Sequence, residues 1–248
     1  VPLEIQEEWD NSGFQLGNRE EEIKGILISL DFSLEVVNYA IEKNMNVIFT
    51  HHPVFFKTIR NLENGNKFND AIIKAIKSNI SVYSSHTNLD IIEGGVNDTL
   101  AKIIELNNIE PITSHPYNEN IGLGRHGFVL PRKAENFLDF LKKRIDEKNI
   151  IVYGDLEKDI VKVGIVGGTG AETIENAINL ELDLLITSDI KYHQAEYAVE
   201  NNLILVDIGH YISEKFVINT LHDIFQNKEF KNIKIEKFFF DKSKRKIY

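Results

Sequence analysis

Six side chains able to hold a metal ion stand at the ends of apolar runs in this chain. Ile80-Ser-Val-Tyr-Ser-Ser-His86-Thr-Asn-Leu-Asp90 and Ile204-Leu-Val-Asp-Ile-Gly-His210-Tyr-Ile-Ser-Glu214 each lead from apolar residues into a histidine, with an acid four positions on. Thr50-His51-His52-Pro53 closes a third run. On a helical turn, i,i+4 spacing sets an imidazole and a carboxylate side by side, within reach of one cation. A single pair of this kind is often only a local hydrogen bond. Its recurrence, together with the His-His pair, points to a metal site. One tetrahedral ion needs four donors, so His51, His52, His86, Asp90, His210 and Glu214 suit two ions better, roughly 3.5–4 Å apart and bridged by a carboxylate. Cysteine is absent. The donors are therefore nitrogen and oxygen, which fits zinc, manganese, iron, cobalt or nickel, and excludes thiol catalysis and iron–sulfur clusters.

These donors need strand ends to present them. Neighbouring residues on a straight strand face opposite ways, so His51 and His52 converge only where the strand breaks, as Pro53 requires. The plainer alternative is one imidazole in a hydrogen-bond network and the other exposed. Ile26–Leu30 reads as a strand buried on both faces. Ser33 caps a helix whose stripe of Leu34, Val37, Ala40 and Ile41 runs to Lys43; Asn44 stops it, and Val47–Phe49 is the next strand. Strand–helix–strand at this spacing predicts parallel strands joined by right-handed crossovers.

The pattern repeats. Residues 25–50 align onto 162–187 at an offset of 137, and Ala71–Asp90 onto Ala195–Glu214 at an offset of 124, leaving 13 extra residues in the first half between 53 and 69. Ile28/Ile165, Glu35/Glu172, Thr50/Thr187, Val82/Val206 and His86/His210 match under this alignment. The expected fold is thus α/β, with two similar lobes from an internal duplication and mostly parallel sheets. The expected boundaries are 1–115 for the first lobe, 116–155 for a turn-rich junction completing the sheets, and 156–248 for the second lobe. Within the junction one helix is expected from Glu135 or Asn136 to Lys148. Ile233–Tyr248 is expected to form a closing strand with a polar end.

Other motifs have competing readings. Gly164-Ile-Val-Gly-Gly-Thr-Gly170 follows a strand and could cradle phosphate, but it fits neither G-x-G-x-x-G nor a P-loop, so a tight βα turn is the better reading. Ser188-Asp189 to His193 occupies the place of His51-His52 in the second half. His193 and His86 are the candidates for proton transfer or substrate contact. Trp9-Asp10-Asn11-Ser-Gly13 reads as a packed tryptophan followed by an Asx-turn. His115, His126 and His222 lack partner patterns and are read as non-ligands.

Charge narrows the partners. A net charge of −10 over 248 residues disfavours phosphate-backbone binding, despite basic runs at 142–144 and 242–246, which are read as solvated faces. No run reaches the roughly 18 apolar residues of a membrane span. Val1-Pro2-Leu3 carries no basic, apolar leader, although the missing initiator Met leaves room for upstream sequence. A cytoplasmic enzyme acting on a small molecule is the expectation.

With these residues in view, the chain resembles the Nif-three-like dinuclear-metal family, whose members are often named GTP cyclohydrolase 1 type 2 homologs. The resemblance rests on Trp9-Asp10-Asn11-Ser-Gly13, Thr50-His51-His52-Pro53, His86-Thr87-Asn-Leu-Asp90, Gly122-Leu-Gly124-Arg125, Lys191-Tyr192-His193 and Gly209-His210-Tyr-Ile-Ser-Glu214, in the family's order over nearly the whole chain. It implies two lobes facing each other across two divalent metal ions (zinc, iron or manganese), with His51, His52, Asp90, His210 and Glu214 as ligands. It also implies a ring-like homohexamer, and a minimal form of the family without a domain inserted between the lobes. The implied activity is metal-dependent hydrolysis of a nucleotide-like or phosphorylated small molecule. The alternative is a non-enzymatic metal-binding scaffold or regulatory partner.

Overall fold

The computed structural model of the chain describes residues 1–226 and 230–240. It divides into two compact units, Val1–Leu89 with Ile218–Tyr248, and Asp90–Val217.

The first unit is built on a five-stranded sheet. Its strands are β1 (Gly13–Leu16), β2 (Gly25–Ser29), β3 (Val47–Thr50), β4 (Ser81–Ser84) and β13 (Lys234–Lys237), in the spatial order β1-β4-β3-β2-β13. β2, β3 and β4 run parallel, β13 lies parallel to β2, and only β1 is antiparallel. Every residue of β2 is buried, as its apolar run predicts. Helices α1 (Leu34–Glu42) and α2 (Lys67–Lys77) make the crossovers. The Ser33 hydroxyl accepts from the Val36 amide at the start of α1, and Asn44 turns the chain at φ 56° after its end. Val36, Val37 and Ala40 of α1 share one apolar core with Ala71, Ile72 and Ala75 of α2 and with Leu27, Ile48 and Val82 from the sheet. α3 (Thr87–Ile91) carries the chain out of this unit, and α9 (Val217–Phe225) brings it back.

The second unit holds a six-stranded sheet. After α4 (Val96–Ile103) come β5 (Asn107–Glu110), the hairpin β6 (Thr113–His115) and β7 (Asn118–Leu123), β8 (Arg125–Lys133), α5 (Ala134–Ile145) and β9 (Ile151–Tyr153). Then follow β10 (Asp159–Thr169), α6 (Ile174–Asn179), β11 (Leu184–Ser188), α7 (Tyr192–Glu200), β12 (Ile204–Asp207) and α8 (His210–Glu214). The order is β5-β8-β10-β11-β12-β9, with β10, β11 and β12 parallel and β8 and β9 antiparallel at their flanks.

The α/β class and the parallel strands agree with the sequence reading, but the boundaries do not. Residues 116–155 add β8 and β9 to the second sheet and β7 to the separate β6–β7 hairpin, and no strand to the first sheet. The chain after Ile218 rejoins the first unit instead of ending the second, because β13 pairs with the open side of β2 and Phe238 and Phe240 pack on the first core. The expected strand from Ile233 is therefore short, and its polar end at 241–248 lies outside the described residues, as does the basic run at 242–246. The junction helix starts at Ala134 and ends at Ile145, three residues before Lys148.

Both units run strand, helix, strand, helix, strand, short helix. Ile26 pairs with Val47 as Val163 pairs with Leu184, so the offset of 137 holds in the strand register. The second segment needs a correction. Asn79 and Asn202 take the same left-handed turn (φ 52° and 60°), and Ile80 N–H donates to Ala75 O as Leu203 N–H does to Ala198 O, an offset of 123. The matches Ile80/Ile204 and Val82/Val206 are thus one residue out of step. The pairing of His86 with His210 requires one added residue in the second unit, where Gly209 turns the chain at φ 80°.

One buried cation ties the second unit together. Arg125 is 2% exposed and donates to Gly122 O, Gly124 O, Ile91 O, Ile92 O and Asp98 Oδ2 at 2.7 to 3.4 Å. We expect Arg125→Ala, which strands the Asp98 carboxylate, to cost about 3 kcal/mol. A shift in the urea midpoint should reveal it, and an unchanged midpoint would show that the five contacts contribute nothing.

Candidate metal centre

In the first unit, β3 and β4 end side by side, and the residues after them carry imidazoles. His51 N–H donates to Ser29 O and His52 N–H to Leu30 O, so the chain follows β2 one step further before Pro53 turns it away. The Thr50 hydroxyl donates to His52 O and tightens the turn. The two rings thereby converge, with centroids 5.0 Å apart, and His86 joins them at 5.2 Å from His51 and 5.6 Å from His52. One ligand atom from each of the three lies within 4.8 Å of the others.

Each ring is oriented by an oxygen on Nδ1. His51 Nδ1 lies 2.9 Å from Ser85 O, His52 Nδ1 2.7 Å from Asp31 Oδ1, and His86 Nδ1 2.8 Å from Asp10 Oδ1. A carbonyl or carboxylate only accepts, so Nδ1 carries the proton and the Nε2 lone pair becomes the coordinating atom. Asp10 is the most heavily engaged of these acceptors. Its side chain is buried and also receives the Thr87 amide and hydroxyl, the Ser12 hydroxyl and the Asn11 amide. Burial pushes this carboxyl up, but the bonds from His86 and Thr87 outweigh it and hold the group far below the usual carboxylate range.

In the second unit, α8 presents the histidine–acid pair on successive turns, as its spacing requires. His210 Nε2 is 3.1 Å from Glu214 Oε1, and Glu214 is 3% exposed. His210 Nδ1 lies 2.6 Å from Asp189 Oδ2, repeating the first unit's orienting device. Burial raises the Asp189 carboxyl, but bonds from His210 and Thr169 bring it below its ordinary value. Asp189 itself sits at φ 58° just after β11, a backbone region few non-glycine residues adopt. Gly168 is also required: at φ 63° a Cβ there would meet Glu214 Oε1 at 2.5 Å. The glycine run is not a phosphate cradle, since Gly167 N–H donates to Asn97 Oδ1 and Gly168 N–H to Ser213 Oγ.

The other candidates are placed as follows. Asp90 is 8% exposed in α3, and its carbonyl accepts from Asn97 Nδ2. His193 differs from the rest: its side chain is 90% exposed, and Nδ1 pairs with Glu196 on the same helix. His115, His126 and His222 belong to no metal-capable group among the described residues. The sequence reading missed Asp31, and it saw Asp10 only as a turn residue. An acid directly after the apolar run 26–30 was the available signal for Asp31. Trp9 is not packed, being 62% exposed.

The donor chemistry suits a divalent transition metal: neutral imidazoles with a fixed tautomer, and a buried carboxylate. Comparison with known proteins identifies similar chains. The Duf34/NIF3 (NGG1p interacting factor 3) family model matches residues 1–246. A Clostridium perfringens protein named GTP cyclohydrolase 1 type 2 homolog is 36% identical over 218 residues, covering 86% of this chain and 82% of its own length. A Staphylococcus aureus crystal structure superposes with a TM-score of 0.92 at 29% identity, covering 100% of this chain and 95% of that one. A Bacillus cereus protein related to NIF3 has the same fold, with a TM-score of 0.92, 24% identity and coverage of 97% and 93%.

Asp10 gives a pH-dependent prediction. A carboxyl depressed by folding stabilises the protein fully above its ordinary pKa of 3.8 and loses that contribution as pH falls toward the folded value. Asp10→Asn should therefore lower stability by about 2 kcal/mol at neutral pH. Its urea midpoint and the wild-type midpoint should converge as pH drops below 3.8. Parallel curves across that range would refute the assignment.

Proposed function

Because the chain belongs to the Duf34/NIF3 family, we propose that it is a metal-dependent hydrolase with a two-ion centre. In this reading His51, His52, Asp90, His210 and Glu214 hold the ions, and the substrate is a nucleotide-like or phosphorylated small molecule. The observation that carries it is the repeated orientation of imidazoles through Nδ1, by Ser85 O, Asp31 and Asp189. Such a partner on the second ring nitrogen is the usual arrangement of a metal-ligating histidine and raises its basicity. Divalent metal bound there would acidify water and polarise a phosphoryl or carbonyl oxygen.

The chain's own residues supply the rest. Asp10 holds His86 beside His51 and His52, with Nε2 able to accept a proton from an attacking water. His193, exposed and paired with Glu196 on α7, is the second candidate for proton transfer or substrate contact. The working assembly in this reading is a homohexamer of the family's ring type. No described helix is long and apolar enough to cross a membrane.

Elemental analysis of protein purified without added metal, followed by a hydrolase panel on the same sample, tests the proposal. About two equivalents of zinc, iron or manganese per chain are expected. His210→Ala should remove at least one and abolish turnover while the assembly persists. Metal-loaded wild type inert across the panel would favour a metal-binding scaffold instead. Gly168→Ala should weaken metal binding at least tenfold in competition with a chelating dye, because the new methyl displaces Glu214.

A further inference from the structure

Two large apolar rings stand in the open beside the imidazole cluster. Trp9 is 62% exposed and Phe56 is 59% exposed, although neither contributes to the core, which Val54 enters instead. Their centroids are 5.9 Å apart with planes inclined by 47°. Both also meet the His86 ring, Trp9 at 5.9 Å and Phe56 at 5.6 Å, each edge-on at 75°. Ring contacts thus run from Phe56 and Trp9 through His86 to His52 and to the buried His51.

This shelf is held in place by polar contacts beneath it. Asp10, adjacent to Trp9, anchors His86 and Thr87. Asn11 Nδ2 donates to Phe55 O, Gln15 Oε1 accepts from Phe55 N–H, and Gln15 Nε2 donates to Asn11 O. The backbones on either side of the two rings are therefore laced together while the rings face solvent. Leaving two such rings exposed forgoes the burial energy available to them, and rigid exposed aromatics beside polar donors are the usual composition of a ligand seat. Stacking needs only a π face on the ligand.

We infer that Trp9 and Phe56 seat a planar nitrogen heteroaromatic ring of the nucleobase class, stacked on Trp9 and bordered by Phe56. The seat leaves the rest of that molecule next to His86 and the histidine pair. The inference rests on the proposed metal centre only for what happens to the bound molecule, not for the stacking. It narrows the substrate class from nucleotide-like or phosphorylated small molecules to those carrying a flat base.

Trp9 is the sole tryptophan of the chain and reports on its own site. Metal-replete protein is titrated with guanosine, GMP and ribose 5-phosphate, with excitation at the red edge of tryptophan absorption. Saturable quenching by guanosine and GMP is expected, with none by ribose 5-phosphate. Calorimetry with GMP then compares variants. Trp9→Ala and Phe56→Ala should each weaken binding roughly tenfold, and Trp9→Phe should restore most of the loss. Equal binding of GMP and ribose 5-phosphate would overturn the inference, as would unchanged GMP affinity in Trp9→Ala. So would dissociation of the assembly by both alanine variants with no quenching in the wild type, since the rings would then be a contact between copies. Metal content, measured in every variant, separates the two ideas. Quenching that survives in metal-free protein upholds the stacking whatever becomes of the hydrolase reading.

Discussion

An imidazole binds a cation only through a nitrogen that lacks a proton, so a histidine site is as good as its control over where that proton sits. Here the control comes from oxygen acceptors on Nδ1: a backbone carbonyl for His51, and Asp31, Asp10 and Asp189 for His52, His86 and His210. The sheets make this control inexpensive. Parallel neighbours end at the same level, so the residue after one strand lies against the residue after the next. Asp31 follows β2 and meets His52 beyond β3; Asp189 follows β11 and meets His210 beyond β12. One topological rule supplies the candidate ligand and the group that orients it.

Close packing makes the arrangement exacting. Glu214 is buried against the backbone of β10, where only a glycine leaves room, and the amides around that glycine are committed to Asn97 and Ser213. The left-handed Asp189 directs its carboxylate at His210 from a conformation few side chains adopt at rest. In the first unit the counterpart is a crowded hydrogen-bond knot around Asp10, whose charge is stabilised by donors from two segments, residues 11–12 and 86–87.

Much of this was legible in the residues. The apolar runs, Ser33 and Asn44 place β2, α1 and β3 within a residue or two, because local propensity and burial agree there. His51-His52-Pro53, His86 and the His210–Glu214 pair marked candidate donors that the structure groups, because spacing on a strand end or helical turn is a local property, whereas Asp90 joins neither group among the described residues. What escaped was non-local or indifferent to residue type. Asp31 and Asp10 act through partners 21 and 76 positions away. The alignment slipped by one because apolar strand residues are interchangeable, whereas the left-handed Asn79 and Asn202 hold the true register. The return of the chain to the first sheet left no trace in composition, since β13 is a short, charged segment with little apolar content.

That return sets an order of assembly. Residues 90–217 form a unit uninterrupted in sequence, so a growing chain supplies all of its strands before it delivers β13 to the first sheet. Throughout that interval β2, the most buried strand of the early half, has an open edge, and an open apolar edge is a template for pairing with the wrong chain. When β13 arrives it closes that edge with Lys234, Glu236 and Lys237, charges that discourage any further strand from adding. The guard of the first sheet is thus made only after the whole second unit, and the first sheet stays open to mispairing while that unit is already able to fold.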